Sequence, residues 1–375
     1  MSKKVCPEQK RRVFVGLSGG VDSSVATYLL QKQGYNITGV FIRSFNVDGC
    51  AERDAEDARR AAAHLGVPFY VFDFEKEYKK EVVEYMVVGY RSGRTPNPDV
   101  MCNKEIKFGL FFKKALEMGA DYIATGHYVR LAERENAFSL LEARDKNKDQ
   151  SYFLWTLTQE QLKHCLFPIG DYVKPEVRRI AKEAGLPTAE KKDSQGICFL
   201  GEVELDEFLK DYIKPKKWPI VDTEGRKMGE HMGAQFYTIG QRHLGAKIQI
   251  PNTKFQKPLY VADKNINTNT LVVALGSDNP ALFKKEIELA DTHFINPKLV
   301  SKFQVIGHKL SVFARVRYRQ PLIPATLIKE EGGKYKLIFS KPVKFVAPGQ
   351  SAVFYEAGFL AGLRGRRMLG GGIIL

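Results

Sequence analysis

An α/β fold with a parallel sheet, running into a β-rich second half, is the class this sequence predicts. Over the first 200 residues, short β-rich runs alternate with helical patterns, the signature of a parallel sheet covered on both faces. After Pro215 the texture changes to short strand patterns separated by Gly, Asn and Pro turns, and from about residue 285 the runs are fully β-like. Three domains follow from these shifts: 1–214 with the parallel sheet, a small β-rich central domain over 215–284, and a terminal β module over 285–375. The chain's 375 residues suit two or three domains of ~100–200 residues each.

The elements follow in order. Val13–Leu17, Ile37–Ile42, Pro68–Phe72 and Tyr122–Thr125 read as strands. Between them, Asp22–Gln33, Glu52–Leu65, Glu75–Val88 and Lys104–Met118 carry helical spacing. Two further helices are predicted over Ser151–Leu162 and Pro175–Ala184; Pro175 suits a first helical turn and Gly185 an end. Short strands over Gln235–Ile239, Leu259–Ala262 and Leu271–Ala274 make the central domain. Val312–Tyr318, Ala325–Ile328, Tyr335–Phe339 and Gln350–Tyr355 then read as a barrel or sandwich.

Composition narrows the function classes. Apolar residues make up 44% of the chain, which excludes a wholly disordered protein. No run approaches the ~20 apolar residues that span a bilayer, and the N-terminal MSKKVCPEQKRR lacks an apolar signal core, so a cytoplasmic location without membrane contact is expected. The five cysteines, Cys6, Cys50, Cys102, Cys165 and Cys198, include no CxxC pair and are too few for a disulfide scaffold. Net charge is +15, with 58 Lys and Arg against 43 Asp and Glu. Residues 301–375 alone carry 13 basic and 3 acidic side chains, a surplus suited either to a polyanionic partner or to solubility.

The most informative segment is Val13-Phe-Val-Gly-Leu-Ser-Gly-Gly-Val-Asp-Ser-Ser24, a strand that runs straight into a glycine turn and then a helix. Gly19 and Gly20 let successive backbone N–H groups turn toward one anion, and Ser18, Ser23 and Ser24 add hydroxyls. The next helix presents its positive end to the same point. Asp22 suits either a helix cap or a Mg2+ ion carried by a nucleotide. Neither the GxxxxGK[ST] phosphate loop nor GxGxxG is present. SGGVDSS instead resembles the pyrophosphate loop of the ATP pyrophosphatases, which implies attack on the α-phosphorus of ATP and release of pyrophosphate.

Two cysteine segments add sulfur chemistry. In Arg94-Thr-Pro-Asn-Pro-Asp-Val-Met-Cys102, two prolines stiffen a loop that presents Asn97 and Asp99, and Cys102 is placed just before a helix beginning near Asn103. A helix N-terminus together with Lys104 and Lys107 favours a thiolate, and Asp99 is spaced to move a proton. Cys198 lies in Lys192-Asp-Ser-Gln-Gly-Ile-Cys198, a small-residue loop suited to a cysteine that visits both a donor and a substrate. A phosphate loop and two such cysteines point to a persulfide and a disulfide. His127, after Tyr122-Ile-Ala-Thr-Gly126, is placed at the ligand edge of the sheet. In Arg315-Val-Arg-Tyr-Arg319, period-2 spacing puts Arg315, Arg317 and Arg319 on one strand face, a candidate phosphate row. Arg364-Gly-Arg-Arg367 reads as a basic surface turn, and Cys6, Cys50 and Cys165 have no partner pattern.

The segments GLSGGVDSS, TPNPDVMCNKEIKFG, ATGHY, KDQSYFLW, DSQGICF, YTIGQRHLG and RVRYRQ occur in one order along nearly the whole chain. Together they resemble the tRNA-specific 2-thiouridylase family (MnmA, also TrmU). The resemblance implies an ATP-pyrophosphatase domain, a small central domain and a C-terminal β-barrel that binds tRNA. It implies ATP, with Mg2+, as cosubstrate, and sulfur for oxygen exchange at C2 of uridine 34 in tRNAs for Lys, Glu and Gln. The sulfur would come from a persulfide donor such as a cysteine desulfurase or a sulfur-carrier protein. By position, Gly16, Leu17, Ser18, Gly19, Gly20, Val21, Asp22 and Ser23 would grip ATP, with Ile42 and Gly126. Asn97, Pro98 and Asp99 would meet the target base, with Asp99 as acid/base. Cys198 would hold the persulfide and Cys102 would close the disulfide that frees sulfur. His127, Lys148, Asp149, Gln150, Arg317, Tyr318 and Gln350 fall where the family touches tRNA. Where relatives often follow the second strand with an Asn/Lys-Trp pair, this chain has Arg43-Ser-Phe45.

Two other classes stand beside this reading. A non-catalytic RNA-binding protein would not need an intact SGGVDSS with Asp99, Cys102 and Cys198. A small-molecule ATP pyrophosphatase, such as an amidotransferase-type synthetase, would need neither the basic β module nor the cysteine pair.

Overall fold

The computed structural model describes residues 11–47, 49–134, 136–193, 199–201, 203–245, 257–296, 298, 301, 306–358 and 365–375. Cys6, Cys198 and Arg364 lie outside the described residues. The chain divides into two compact units, one comprising residues up to 79 with 102–201, the other 80–101 with 202–375.

The first unit is built on a five-stranded parallel sheet of order β3-β2-β1-β4-β7. Its strands are β1 (Arg12–Gly16), β2 (Asn36–Arg43), β3 (Phe69–Asp73), β4 (Tyr122–Ala124) and β7 (Cys165–Leu166); β5 (Arg130–Arg134) and β6 (Ala137–Leu141) form a separate hairpin. Val13, Phe14 and Val15 of β1 are at most 2% exposed, so the central strand is buried on both faces, as a parallel sheet requires. The helix Val21–Lys32 buries Val25, Ala26 and Leu30, and Cys50–Leu65 turns Ala58, Ala61 and Ala62 inward before ending at Gly66 with φ 65°. Small alanines let that helix lie close to the sheet.

The region expected to be one helix over Ser151–Leu162 is instead a turn, Ser151–Phe153, and a separate helix, Gln159–Lys163. Thr158 starts the second piece with a capping box: its hydroxyl accepts from Gln161 N at 3.3 Å and its N–H donates to Gln161 Oε1 at 2.9 Å. Asp149 holds the first piece by accepting from Ser151 N and Oγ.

The second unit carries two sheets. β8 (Trp218–Asp222), β9 (Lys227–His231), β10 (Leu259–Asn265) and β11 (Thr270–Leu275) form a sheet of order β10-β11-β8-β9. Gln235–Ile239, expected as a strand, holds a helical turn over Ala234–Phe236 instead, because the N–H of Ala234 is taken by the Asn269 side chain rather than by a neighbouring strand. The remaining strands close an antiparallel barrel of order β12-β15-β14-β13-β16-β17. They are β12 (Phe283–Phe294), β13 (Lys309–Arg315), β14 (Ile323–Lys329), β15 (Tyr335–Lys344), β16 (Ser351–Glu356) and β17 (Met368–Ile374). Val312, Leu327, Leu337, Phe339 and Phe354 fill its interior. β17 contains Gly370, Gly371 and Gly372, because β12 passes so close that a Cβ at Gly370 would sit 2.0 Å from the His293 carbonyl oxygen.

Candidate active site

The phosphate loop lies where β1 meets the helix Val21–Lys32, at the carboxyl edge of the parallel sheet. Gly19 has φ 73°, and a Cβ there would fall 2.3 Å from the Asp54 carbonyl oxygen, so only glycine fits the turn. Gly126, two residues past β4, closes the other side; a Cβ on it would be 2.6 Å from Ser23 N. Ser23 Oγ accepts from Ser18 N at 3.2 Å and donates to the Gly20 carbonyl at 3.1 Å, while Ser24 Oγ donates to the same carbonyl at 2.9 Å. The serines therefore brace the loop. Gly20 caps the helix without any side-chain hydrogen bond, which leaves the first helical N–H groups directed at the loop. Ile42 is half-buried near the end of β2, beside this edge.

Asp22 does not cap the helix. Its carboxylate accepts from Lys174 Nζ at 2.7 and 2.8 Å and from Tyr128 Oη at 2.8 Å. Burial, followed by the Asp22 charge, pushes the Tyr128 phenol far up, so it stays a donor. Lys174, from the start of the helix Lys174–Glu183, carried no signal in the sequence: it lies in no motif and is 152 positions from Asp22. Its Nζ also lies 2.9 Å from Asp193, which receives Lys148 at 2.7 Å and Arg178 at 2.7 Å. Burial would raise the Asp193 carboxyl, but hydrogen bonds from Lys148 and Lys174 outweigh it and hold it at about 2.

His127 is 7% exposed, with Nδ1 2.8 Å from Thr125 Oγ1 and its ring 5.9 Å from that of Phe108. Burial first, and Lys107 second, hold its pKa well below 6.5, so the ring is neutral. Of the three residues 148–150, Lys148 is bound to Asp193, and Asp149 is buried and accepts from Ala143 N at 3.1 Å. Gln150 Oε1 accepts from Tyr128 N at 2.9 Å.

Cys102 is 6% exposed. A helical turn, Pro98–Met101, precedes it, and Cys102 opens a wide π-type helix over Cys102–Phe111. The expected place just before a helix is thus corrected: the helical stretch begins four residues earlier, because Asn97 and Pro98 are themselves start residues. Asn97 Oδ1 accepts from Val100 N at 3.3 Å, and Pro98 fills the first position, where no N–H is needed. Asp99 is half-buried. Cys165, in β7, is buried, and burial pushes its thiol pKa up, away from reactivity.

In the second unit, Gln350 Nε2 donates to the carbonyls of Thr95 at 3.0 Å and Pro96 at 3.2 Å, and Thr95 N donates to the Pro348 carbonyl at 2.7 Å. The loop before Asn97, Pro98 and Asp99 is therefore held by the turn between β15 and β16. The Arg315–Arg319 row is corrected. β13 ends at Arg315, which is 5% exposed with a guanidinium nitrogen 2.6 Å from Tyr355 Oη. A turn follows, with Gln320 N bonded to the Arg317 carbonyl and Arg319 at φ 62°, so the two-residue alternation stops. Arg317 lies over Phe345 at 5.9 Å, half-buried Tyr318 has Arg319 over its ring at 5.1 Å, and Arg319 itself is exposed.

Among the described residues no three His, Cys, Asp or Glu side chains form a metal-binding group, and no helix is long and apolar enough to cross a membrane.

Three family models match in sequence: a tRNA methyl transferase HUP domain over residues 11–202, a tRNA methyl transferase PRC-barrel domain over 206–275, and an aminomethyltransferase β-barrel domain over 284–374. Relatives named tRNA-specific 2-thiouridylase MnmA match nearly end to end. That of Enterococcus faecalis is 44% identical over 374 residues, covering 97% of this chain and 95% of its own. The Idiomarina loihiensis protein is 43% identical over 373 residues, covering 97% and 96%. The Shigella flexneri protein is 43% identical over 373 residues, covering 98% and 97%. This chain belongs to the tRNA-specific 2-thiouridylase family.

Proposed function

We propose that this protein is a tRNA-uridine 2-sulfurtransferase that activates uridine 34 of tRNAs for Lys, Glu and Gln with ATP and replaces O2 by sulfur. The observation that carries the reading is the SGGVDSS cradle, with an uncapped helix N-terminus aimed at an anion and with Gly19 and Gly126 letting the Asp54 and Ser23 backbone pack close against the loop. Gly16 to Ser23 bind the triphosphate, and Ile42 and Gly126 border the nucleotide. Asp22, the loop's carboxylate, would hold a phosphate-borne Mg2+ in exchange for the Lys174 ammonium that its two oxygens now accept from, and the ion would supply charge neutralisation there. Asn97, Pro98 and Asp99 receive the base, which leaves the anticodon stack to reach them.

In the proposed sequence, the uridine O2 attacks the α-phosphorus and pyrophosphate leaves, giving an O-adenylated base. The Cys102 thiolate attacks the inner sulfur of a Cys198 persulfide, forming the Cys102–Cys198 disulfide and releasing hydrosulfide. Hydrosulfide adds at C2, and the C2–O bond breaks with AMP as leaving group. Asp99 moves the proton between base and solvent. An external thiol then reduces the disulfide before a cysteine desulfurase or sulfur carrier reloads Cys198. His127, Lys148, Asp149, Gln150, Arg317, Tyr318 and Gln350 serve tRNA binding, directly or by holding the contacting segments. The three domains of the proposal are 1–214, 215–284 and 285–375, working in the cytoplasm.

Nucleoside mass spectrometry of tRNA from a deletion strain tests the reading. Expected is loss of 2-thiouridine from the three isoacceptor families and its return with the wild-type gene. Unchanged 2-thiouridine in the deletion strain rejects it.

A further inference from the structure

The motif YTIGQRHLG, residues 237–245, has no part in the chemistry proposed above. Within the second unit it folds into a turn that braces itself. Gln241 Oε1 accepts from Thr238 N at 3.0 Å, Gln241 Nε2 donates to the His243 carbonyl at 2.9 Å, and Tyr237 Oη donates to the Leu244 carbonyl at 3.2 Å. Gly240 N donates to the Val261 carbonyl at 2.8 Å, which ties the turn to β10. At Gly240 the turn meets Phe345: the backbone there has φ 86°, and a Cβ would fall 2.6 Å from Phe345 Cγ. Tyr260 of β10 stacks on the same ring, with centroids 5.5 Å apart and planes at 29°.

Phe345 follows β15 with φ 60°, a left-handed backbone that a bulky residue adopts only at a cost. Its N–H donates to the Leu282 carbonyl at 2.9 Å. Arg317 Cζ lies over its half-buried ring, 5.9 Å from the ring centre. Gln320 completes the arrangement: its Oε1 accepts from Val316 N at 3.3 Å and its Nε2 donates to the Lys344 carbonyl at 3.0 Å. The turn bearing Arg317 is thereby tied to the residue before Phe345. Stacking uses the face of a guanidinium and not its edge, where the N–H donors that grip a phosphate lie.

We infer that Phe345, backed by Gly240 and Tyr260, is a positioning residue for Arg317, so that the YTIGQRHLG turn contributes to tRNA binding by fixing a phosphate contact made from the barrel. The inference rests on the placing of Arg317 at tRNA under the proposed function. An arginine loses rotamer freedom when it grips a phosphate, and a ring that holds it beforehand lowers that cost. A merely structural ring predicts something different: a lower Tm, with tRNA affinity and its salt dependence unmoved in the protein that remains folded.

The test is filter binding of a tRNA transcript to the full-length protein at several salt concentrations, which gives Kd and the salt slope. Nucleoside mass spectrometry after incubation with Mg-ATP and a persulfide source gives 2-thiouridine. Phe345→Leu, which removes the aromatic face, is expected to raise Kd about two- to fivefold and to flatten the log–log slope by up to about one. Phe345→Tyr, which keeps the face, is expected to bind as wild type does. In the Arg317→Ala background, Phe345→Leu is expected to add nothing, because the group that it positions is gone. Wild-type Kd and slope in folded Phe345→Leu overturn the inference. So does a loss of affinity that adds to that of Arg317→Ala, which assigns the ring to direct stacking on RNA. If Phe345→Leu does not fold, Tyr260→Leu decides: a roughly twofold rise in Kd that vanishes in the Arg317→Ala background supports the inference, and any other result overturns it. Arg317→Ala with wild-type Kd overturns both the inference and the placing of Arg317 at tRNA. Wild-type protein that binds tRNA but forms no 2-thiouridine refutes the sulfur-transfer reading alone.

Discussion

Single residues divide here by environment more than by type. Cys102 and Cys165 are both buried cysteines, but Cys102 follows the Pro98–Met101 turn while Cys165 sits inside a sheet with its thiol pKa pushed up. Cys102→Ser is expected to abolish 2-thiouridine formation and leave tRNA-dependent AMP release detectable, since a hydroxyl cannot close a disulfide. Cys165→Ser is expected to keep near-wild-type thiolation; full thiolation by Cys102→Ser, read by mass spectrometry, defeats the sulfur-relay mechanism. His127 gives a pH signature. Its folded pKa lies well below 6.5, so at pH 7 both folded and unfolded chains hold it neutral. As the pH falls below 6.5 the unfolded chain takes up a proton that the folded one refuses, so stability present above that pH is lost on acidification, by at most about 1.4 kcal/mol per pH unit. His231, also held low chiefly by burial, adds in the same direction. The urea midpoint is therefore expected to drop between pH 7.5 and 5.5, and to drop less in His127→Gln. An equal drop in both proteins removes His127 as a source.

At the scale of elements, two loops are set by contacts that leave no slack. Gly19→Ala adds a Cβ 2.3 Å from the Asp54 carbonyl oxygen at a backbone φ of 73°, so either the phosphate loop or the helix Cys50–Leu65 must shift. KM for ATP is expected to rise at least tenfold while KM for tRNA changes little; unaltered ATP dependence contradicts the cradle. Gln350 commits its amide to the Thr95 and Pro96 carbonyls, and each bond contributes about 1 kcal/mol. Gln350→Ala is accordingly expected to lower kcat several-fold, by loosening the loop that leads to Asn97 and Asp99. Steady-state kinetics check this: a rise in KM for tRNA with constant kcat assigns Gln350 to direct RNA contact alone.

For the whole molecule the relevant quantity is charge, +15 overall with a surplus of basic residues in the terminal module. Phosphate contacts release counterions, giving a log–log salt slope of roughly −0.7 to −0.9 per neutralised phosphate. Arg315 is excluded from such contacts by its burial against Tyr355, which leaves Arg317 and Arg319. Replacing both by Ala is expected to raise KM for tRNA and flatten the salt slope by about one to two, with a smaller effect on the chemical step. Filter binding at several salt concentrations measures this, and an unchanged slope returns these arginines to ordinary surface.

The sequence by itself determined what depends on neighbours in the chain. Val13–Ser24 shows its strand, its glycine turn and its helix directly, because each is set by local backbone preference and by alternation of apolar residues. The family order of motifs was legible for the same reason. Tertiary structure decided what depends on distant partners. Lys174 meets Asp22 across 152 positions, and no local pattern marks such a pair. Gly370 to Gly372 lie inside β17 although glycine is depleted in strands, because β12 passes too close to leave room for a Cβ at Gly370. Arg315, Arg317 and Arg319 alternate in sequence, but the strand ends at Arg315, where barrel closure sends the chain into a turn and the shared face is lost. Local sequence sets the conformations a segment prefers; only the packed chain decides which ending, which face and which distant charge each residue meets.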